Sequence, residues 1–303
     1  MRDFRELAAG RRAAGKLVCV GLDPELDDAG KKVPPYLRER YGRLGDGEVN
    51  YRFAMGIVEA TADVAGWYKP NLAFWLRYGG GMEGLQRLVH DVNLAAPGIP
   101  LILDAKFGDI GNTNLGYVEY VYDRLGTDAV TAHSYLGCEA MQPFLDRTNV
   151  MTIFMAKTSN PGAGEFQDLP VPTPGELRER LGFKEDDEEG KTVPLWLLVA
   201  WNVSQKWNVN GNCGIVVGAT YPAELAQSRA IVGPKFNILI PGGGKKGQGG
   251  SLEKSVLAGG ESGIYNFARD VIYAGNGPDF ANEAWFEATV LNEQIVANLA
   301  AAA

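Results

Sequence analysis

The sequence predicts an α/β protein, and more specifically a closed (β/α)8 TIM barrel, from three observations. Eight short apolar runs rich in Val, Ile and Phe stop at turn or polar residues, and segments of helical periodicity lie between them. Runs of this kind are typical of parallel strands that are buried on both faces. Eight β/α units in about 250 core residues match a closed barrel better than the alternative, a doubly wound open sheet. We expect a single domain over residues 1–303.

The order of the elements follows from these patterns. The eight predicted strands lie within 17–24, 66–75, 100–109, 128–133, 150–162, 213–220, 236–244 and 264–269. Apolar residues at helical spacing predict helices over 51–65, 84–96, 194–207 and 222–233. Two segments, at about 25–50 and 163–193, are interpreted as insertions. The acidic run 184–190 within the second is expected to be a solvated loop.

Composition limits the classes of function. The chain has 303 residues, of which 46% are hydrophobic and 22% are charged, so disorder, collagen and coiled coil are excluded as global descriptions. Its net charge of −8 argues against broad nucleic-acid binding or a basic membrane-binding patch. A small anionic substrate remains compatible, because one local pocket can be positive on a negative protein.

The cysteines and the amino terminus indicate a reducing compartment. Cys19, Cys138 and Cys213 are far apart in the sequence, which predicts buried thiols rather than a zinc site or a disulfide framework. The first sixteen residues contain no apolar signal core, and no run approaches the length of a membrane span. We therefore expect a cytoplasmic protein that does not bind a membrane.

Charged residues at the ends of the strands carry the clearest chemical signal, because a barrel of this kind places its site there. Asp104 and Lys106 are two residues apart on one strand and are expected to point to the same side. With Lys69 on the neighbouring strand, one carboxylate would lie between two ammonium groups, and such charges hold one another ionised. A structural ion-pair network that caps the barrel is the alternative.

The loop after the seventh strand is the second signal. Six glycines lie within 241–250, and glycine lets backbone N–H groups converge on an anion. Barrel phosphate sites lie after strands seven and eight, and Arg269 ends the eighth run with a guanidinium suited to phosphate oxygens. The alternatives are a flexible connector and a surface salt bridge.

The two histidines give little support for metal or triad chemistry. His90 falls within a helical pattern and His133 ends the fourth strand, and both are interpreted as structural. Without a suitable spacing of carboxylates, neither a His-based metal site nor a Ser-His-Asp triad is expected.

An ordered set of motifs resembles a known family. The motifs are LDP (22–24), KPN (69–71), DAKFGDIGNTN (104–114), SNPG (159–162), the 241–250 loop and Arg269. Together, over about 17–275, they resemble the orotidine 5′-monophosphate decarboxylase family, and more closely its bacterial type 2 subfamily. Asp-x-Lys-x-x-Asp alone also occurs in other members of the wider barrel superfamily, so the specificity lies in the ordered set.

The resemblance implies an activity. Members of this family are homodimers with shared active sites that convert orotidine 5′-monophosphate (OMP) to UMP and CO₂ in pyrimidine biosynthesis, with no metal and no organic cofactor. The implied proton donor is Lys106, and the implied role of Asp104 is to repel the departing carboxylate. The charged array is implied to consist of Lys69, Asp104, Lys106 and Asp109.

The resemblance also implies the binding residues. Asp23 and Lys69 would bind the ribose hydroxyls, and Ser159 would contact the pyrimidine. The residues implied to hold the phosphate are Gln248 and Arg269, and those implied to reach into the partner's site are Asp109, Ile110 and Thr113.

The sequence departs from the family pattern at two places, and two other functions are considered as alternatives. The chain has Gly111 where the family usually has proline, and its loop after strand seven is slightly longer than usual. The other functions are a metal-dependent barrel enzyme acting on a sugar phosphate, and a catalytically silent barrel that binds nucleotides. Magnesium dependence would favour the first.

Overall fold

A parallel β-barrel forms the centre of the computed structural model, which describes residues 2–26, 32–244, 246 and 249–302. Its eight strands in this part of the chain are β1 Val18–Leu22, β2 Ala65–Pro70, β3 Ile102–Phe107, β4 Ala129–Ala132, β5 Met151–Lys157, β8 Cys213–Val217, β9 Asn237–Pro241 and β10 Gly263–Phe267. A separate antiparallel hairpin consists of β6 Pro170–Pro172 and β7 Thr192–Pro194.

The neighbour order of the strands follows the chain and closes the sheet. The order is β2-β1-β10-β9-β8-β5-β4-β3, and all of these pairs are parallel. Two isolated parallel bridges, Tyr68 with Leu101 and Asn71 with Asp104, connect β2 to β3 and complete the circle. This arrangement confirms the predicted (β/α)8 barrel and excludes the open doubly wound sheet.

Helices follow the strands in the order expected for β/α units. The described α-helices are α1 Phe4–Ala13, α2 Pro35–Tyr41, α3 Asp46–Thr61, α4 Leu72–Leu76, α5 Gly81–Ala95, α6 Gly111–Val118, α7 Gly137–Leu145, α8 Gly164–Gln167, α9 Gly175–Arg180, α10 Leu195–Trp201, α11 Pro222–Val232, α12 Leu252–Gly259, α13 Arg269–Ile272 and α14 Phe280–Ala302. Turns of 3-10 helix lie at Gly42–Leu44, Pro161–Ala163 and Glu188–Gly190, and π-helical turns at Glu119–Leu125 and Asn202–Trp207.

The helix predictions are confirmed, with shifts at some ends. Segment 194–207 is helical as α10 and the following π-helical turn, and segment 222–233 matches α11. The helix predicted over 51–65 starts earlier, at Asp46, and ends at Thr61, because Ala65 already pairs with β1. The strand predicted within 66–75 ends at Pro70, where Asn71 caps α4 by accepting a hydrogen bond from the backbone N–H of Ala73 (3.2 Å).

Residues from all eight strands fill the interior of the barrel. The inner cluster contains Cys19, Trp67, Ile102, Ala129, Met151, Ile153, Val216, Leu239 and Ile264, together with Phe4 and Ala8 of α1. Phe4 and Ala8 are buried, so α1 closes the amino-terminal end of the barrel against this cluster. The opposite end, where the strands finish, is left for a site.

The two predicted insertions contain regular elements. Segment 25–50 includes α2 and the first turn of α3, while segment 163–193 contains α8, α9 and all of the β6/β7 hairpin except Pro194. The acidic run 184–190 is exposed except for its final glycine, as predicted for a solvated loop. Because the hairpin pairs residues on either side of α9, the second insertion folds back on itself before the chain returns to the barrel in α10.

The prediction of buried cysteines is confirmed at two positions and is wrong at the third. Cys19 and Cys213 are buried in strands, whereas Cys138 is half-buried because it lies in the first turn of α7. None of the helices in the described residues is both long enough and apolar enough to span a bilayer.

The C-terminal helix is joined to the first strand through one buried side chain. Asn292 of α14 accepts hydrogen bonds from the backbone N–H groups of Leu17 (2.7 Å) and Val18 (3.3 Å). It also donates to the carbonyl oxygen of Gly15 at 2.9 Å. The asparagine therefore satisfies three backbone groups at the start of β1.

Replacing this side chain tests that connection. We expect Asn292→Ala to lower the free energy of unfolding by about 2–4 kcal/mol, because it leaves buried backbone donors without acceptors. Urea denaturation followed by circular dichroism measures the change. Asn298→Ala is the matched control, since Asn298 makes a surface bond within α14. Equal stability of the two variants would contradict this role for Asn292.

Candidate active site

A cavity of about 1390 Å³ opens at the carboxyl ends of the strands. Six of the ten predicted site residues line it: Asp23, Lys69, Asp104, Lys106, Ser159 and Arg269. The floor of the cavity includes Val216 and Leu239 of the inner cluster, so the cavity is the upper continuation of the barrel interior.

The alternation of strand residues places the charged side chains in this cavity. Trp67 and Ile102 point into the barrel, and side chains two residues later point to the same side. Lys69 and Asp104 are those residues, each one step above an apolar layer. The same count from Ala129 on β4 leads to Thr131, which also lines the cavity.

The three charged side chains form a continuous array. Lys69 Nζ donates to Asp104 Oδ2 at 2.9 Å, and Lys106 Nζ donates to Asp104 Oδ1 at 2.5 Å. The predicted carboxylate between two ammonium groups is therefore confirmed as geometry. Lys69 is buried, with 4% of its side chain exposed, whereas 42% of the Lys106 side chain is exposed to the cavity.

The array sets the charge state of its members. Burial alone would raise the pKa of Asp104, but Lys69 and Lys106 outweigh it and hold that pKa well below its usual value. Burial alone would lower the pKa of Lys69, but the Asp104 and Asp23 carboxylates raise it above its usual value. The Asp104–Lys69 pair is therefore ionised throughout the ordinary pH range.

A threonine on the neighbouring strand connects Asp104 to the backbone of Lys106. Thr131 Oγ1 donates to Asp104 Oδ1 at 2.8 Å and accepts a hydrogen bond from the Lys106 backbone N–H at 3.0 Å. Lys106 has φ of +53°, the left-handed region, and no other described residue except glycine has a positive φ. Sequence reasoning missed Thr131, although the two-residue step from Ala129 could have found it.

Asp23 places a second carboxylate beside Lys69. Burial raises the pKa of Asp23, and Lys69 opposes this shift. Its Oδ1 atom is buried and has no hydrogen-bond partner among the described residues. As a residue Asp23 lines the cavity, and a carboxylate in a cavity wall can accept a hydrogen bond from a ligand hydroxyl through an oxygen that the cavity exposes.

His133 also lines the cavity, at the end of β4. Burial lowers the pKa of its imidazole, and the Lys106 ammonium lowers it further. The ring is therefore neutral at neutral pH. Its position beside the array could have been found from the strand end, whereas the exposed His90 on α5 lies outside the cavity.

The loop after β3 turns away from the cavity of its own chain. Asp109 accepts a hydrogen bond from the backbone N–H of Ile110 at 2.7 Å, and Ile110 and Thr113 are exposed. None of these three residues is among those that line the cavity. Within one chain the predicted array of four charges thus contains three, and Asp109 lies apart because the chain leaves the barrel after Phe107.

Of the two residues predicted to hold a phosphate, the structure describes one, Arg269. Arg269 begins α13 at the end of β10 and lines the cavity together with Gly242 and Gly244. A Cβ at Gly244 would lie 2.0 Å from Asp270 Oδ2, so any larger residue there would displace the Asp270 carboxylate. Gln248 lies outside the described residues.

An apolar wall that the sequence did not predict faces the array. It contains Phe166 of α8, Leu198 and Val199 of α10, and Trp207. The predicted insertion and the helix after it therefore contribute directly to the cavity. In the described part of the chain, no group of three or more His, Cys, Asp or Glu side chains is placed to hold a metal ion.

Comparisons with known proteins agree with this geometry. The family model described as "Orotidine 5′-phosphate decarboxylase / HUMPS family" matches residues 16–283. Orotidine 5′-phosphate decarboxylase of Herpetosiphon aurantiacus is 38% identical over 285 residues, covering 94% of this chain and 93% of that protein. Orotidine 5′-phosphate decarboxylase of Thermomicrobium roseum is 41% identical over 273 residues, covering 88% of this chain and 85% of that protein.

A solved structure has the same fold over nearly its whole length. Leishmania donovani OMP decarboxylase superposes with a TM-score of 0.72 at 30% identity, covering 96% of this chain and 99% of that chain. The match of the family model over most of the sequence, the barrel, and the strand-end array agree with one another. The chain belongs to the orotidine 5′-phosphate decarboxylase / HUMPS family.

Proposed function

We propose that this protein is a carboxy-lyase that converts OMP to UMP and CO₂ in pyrimidine biosynthesis. The observation that carries the proposal is the Asp104 carboxylate held between Lys69 and Lys106, at the mouth of a cavity that also contains Arg269. An ultraviolet assay that follows OMP consumption tests it, and a chelator added to the same assay separates it from a magnesium-dependent sugar-phosphate enzyme.

Binding of the substrate uses both sides of the cavity. Arg269 holds the phosphate, the Asp23 carboxylate and Lys69 bind the ribose hydroxyls, and Ser159 contacts the pyrimidine. Gln248, which the sequence assigns to the phosphate, is part of this proposal. Binding energy from the phosphate contributes to rate as well as to affinity, because it can hold the reacting ring against the array.

The chemical step breaks the bond between C6 and the carboxylate carbon. The electron pair stays on C6 while CO₂ leaves, and Asp104 favours the departure by repelling the substrate carboxylate. The Lys106 ammonium stabilises the carbanion and then transfers a proton from Nζ to C6, giving UMP. The position of Lys106 is fixed before substrate binds, so little reorganisation is needed.

We also propose a homodimer in which the loop after β3 completes the partner's site. Asp109, Ile110 and Thr113 lie outside the cavity of their own chain, and Asn114 joins the loop to α7 by donating to the Ala140 carbonyl at 2.6 Å. Exposed apolar side chains surround this loop: Ile110, Leu115, Tyr135 and Leu136. Such a cluster suits a subunit interface.

Lys106→Ala tests the proton donor. We expect the variant to lose about 10³-fold or more in kcat, because it loses both the acid and the fixed positive charge. UMP binding, measured by calorimetry, should stay close to wild type. Lys235→Ala is a control, since Lys235 is exposed just before β9 at the opposite end of the barrel. Near-normal decarboxylation by Lys106→Ala would eliminate this residue as the donor.

Arg269→Ala tests the phosphate site. We expect kcat/KM for OMP to fall by about 10²-fold or more through loss of charge-assisted hydrogen bonds. Orotidine, which has no phosphate, should react equally slowly with wild type and variant. A similar loss with both substrates would show that Arg269 acts on the barrel rather than on the phosphate.

Mixed dimers test the shared site. Lys106→Ala and Asp109→Ala are each expected to be inactive, but a hybrid dimer contains one site with both residues intact. Random exchange of equal amounts should restore about a quarter of the wild-type activity, because half of the dimers are hybrids with one intact site. Subunit exchange is verified by mass spectrometry of differently tagged chains. Verified exchange without recovery would refute the shared site.

A further inference from the structure

Two residues of the second insertion form hydrogen bonds with the last residue of β5 and with the residue that follows it. Lys157 Nζ donates to Asp168 Oδ1 at 2.5 Å. The backbone N–H of Thr158 donates to Gln167 Oε1 at 2.9 Å, and Gln167 Nε2 donates to Thr158 Oγ1 at 2.8 Å. Two consecutive residues at the end of β5 thus bond to two consecutive residues of the insertion. We name this set of four residues the β5 clamp: Lys157, Thr158, Gln167 and Asp168.

The buried lysine makes docking of the insertion necessary. Lys157 is 1% exposed, and a buried ammonium without an anionic partner is costly. Lys157 Nζ also lies over the face of the Tyr221 ring, 4.6 Å from its centroid, and this ring carries no negative charge. Asp168 comes from the insertion and is half-exposed, so it supplies the negative charge with little desolvation of its own.

The clamp encloses the turn that carries Ser159. Thr158 Oγ1 accepts from Gln167 and donates to Asn160 Oδ1 at 2.7 Å, which fixes both sides of Ser159 along the chain. On the other side, Gly218 donates its backbone N–H to the Lys157 carbonyl at 2.9 Å. A Cβ at Gly218 would lie 3.0 Å from Ser159 Cβ, so the serine packs closely against the end of β8.

We propose that Gln167 and Asp168 are positioning residues for the pyrimidine-binding turn, acting on Ser159 through Thr158 and Lys157. The inference rests on the proposed function, in which Ser159 contacts the base. It gives the second insertion a role in recognition of the base, distinct from phosphate binding, which lies on the β9 and β10 side of the cavity.

The test compares a ligand that has a base with one that lacks it. In Gln167→Ala we expect the dissociation constant for UMP to rise about tenfold, because Thr158 loses two hydrogen bonds and the turn is no longer fixed. Binding of ribose 5-phosphate should stay within twofold of wild type, and kcat/KM for OMP should fall with UMP affinity. Isothermal calorimetry gives both dissociation constants.

A second variant and a control make the result decisive. Asp168→Asn keeps the shape of the side chain but removes the charge, and we expect the same selective loss of UMP binding. Gln294→Ala on α14, where Gln294 is exposed, should bind both ligands as wild type does. Equal losses for UMP and ribose 5-phosphate, or no loss for either, would overturn the inference. If the wild-type protein binds UMP but does not consume OMP, the proposed function is refuted. The inference about Gln167 and Asp168 can still be tested, because it compares the binding of UMP with that of ribose 5-phosphate.

Discussion

The site depends on one electrostatic constraint, the sharing of the Asp104 carboxylate by two lysines. Lys69 and Asp104 are both taken out of water, which costs several kcal/mol for an unpaired ion. The two buried charges, Lys69 and Asp104, are tolerable because each is the partner of the other, and so the array is in place before any ligand arrives. The fold therefore presents a negative and a positive charge at set positions, which is what stabilisation of a developing carbanion requires.

The position of Lys106 is fixed through its backbone as well as through its charge. A left-handed φ at a residue other than glycine costs about 1–3 kcal/mol and persists only where the surroundings enforce it. Here the Thr131 hydroxyl holds both the Lys106 N–H and the Asp104 carboxylate. The register between β3 and β4 also shifts between Leu103 and Phe107. The strain turns the end of the strand so that an ammonium two residues beyond Asp104 can reach back to it.

The cavity is built from the carboxyl ends of the strands and from the second insertion. Val216 and Leu239 of the inner cluster lie in its floor, and the strand ends carry the charges. The apolar wall of Phe166, Leu198, Val199 and Trp207 then faces the array from the insertion and the helix after it. A charged side and an apolar side across one cavity suit a ligand with a polar sugar phosphate and a flat ring.

By itself the sequence determined the barrel, its order and most of the charged residues of the site, because apolar runs, helical periodicity and strand-end polarity are local patterns. It also located Lys69, Asp104 and Lys106 on adjacent strand ends, although the reach of Lys106 to Asp104 depends on a left-handed φ that a regular strand does not have. Only the tertiary structure showed the contacts that Gln167 and Asp168 make at the end of β5, the left-handed φ of Lys106, and the separation of Asp109 from the cavity of its own chain. Those features depend on contacts between residues distant in the sequence, on a strained φ and on the path of an insertion. None of them produces a periodic pattern in the local sequence from which it could be predicted.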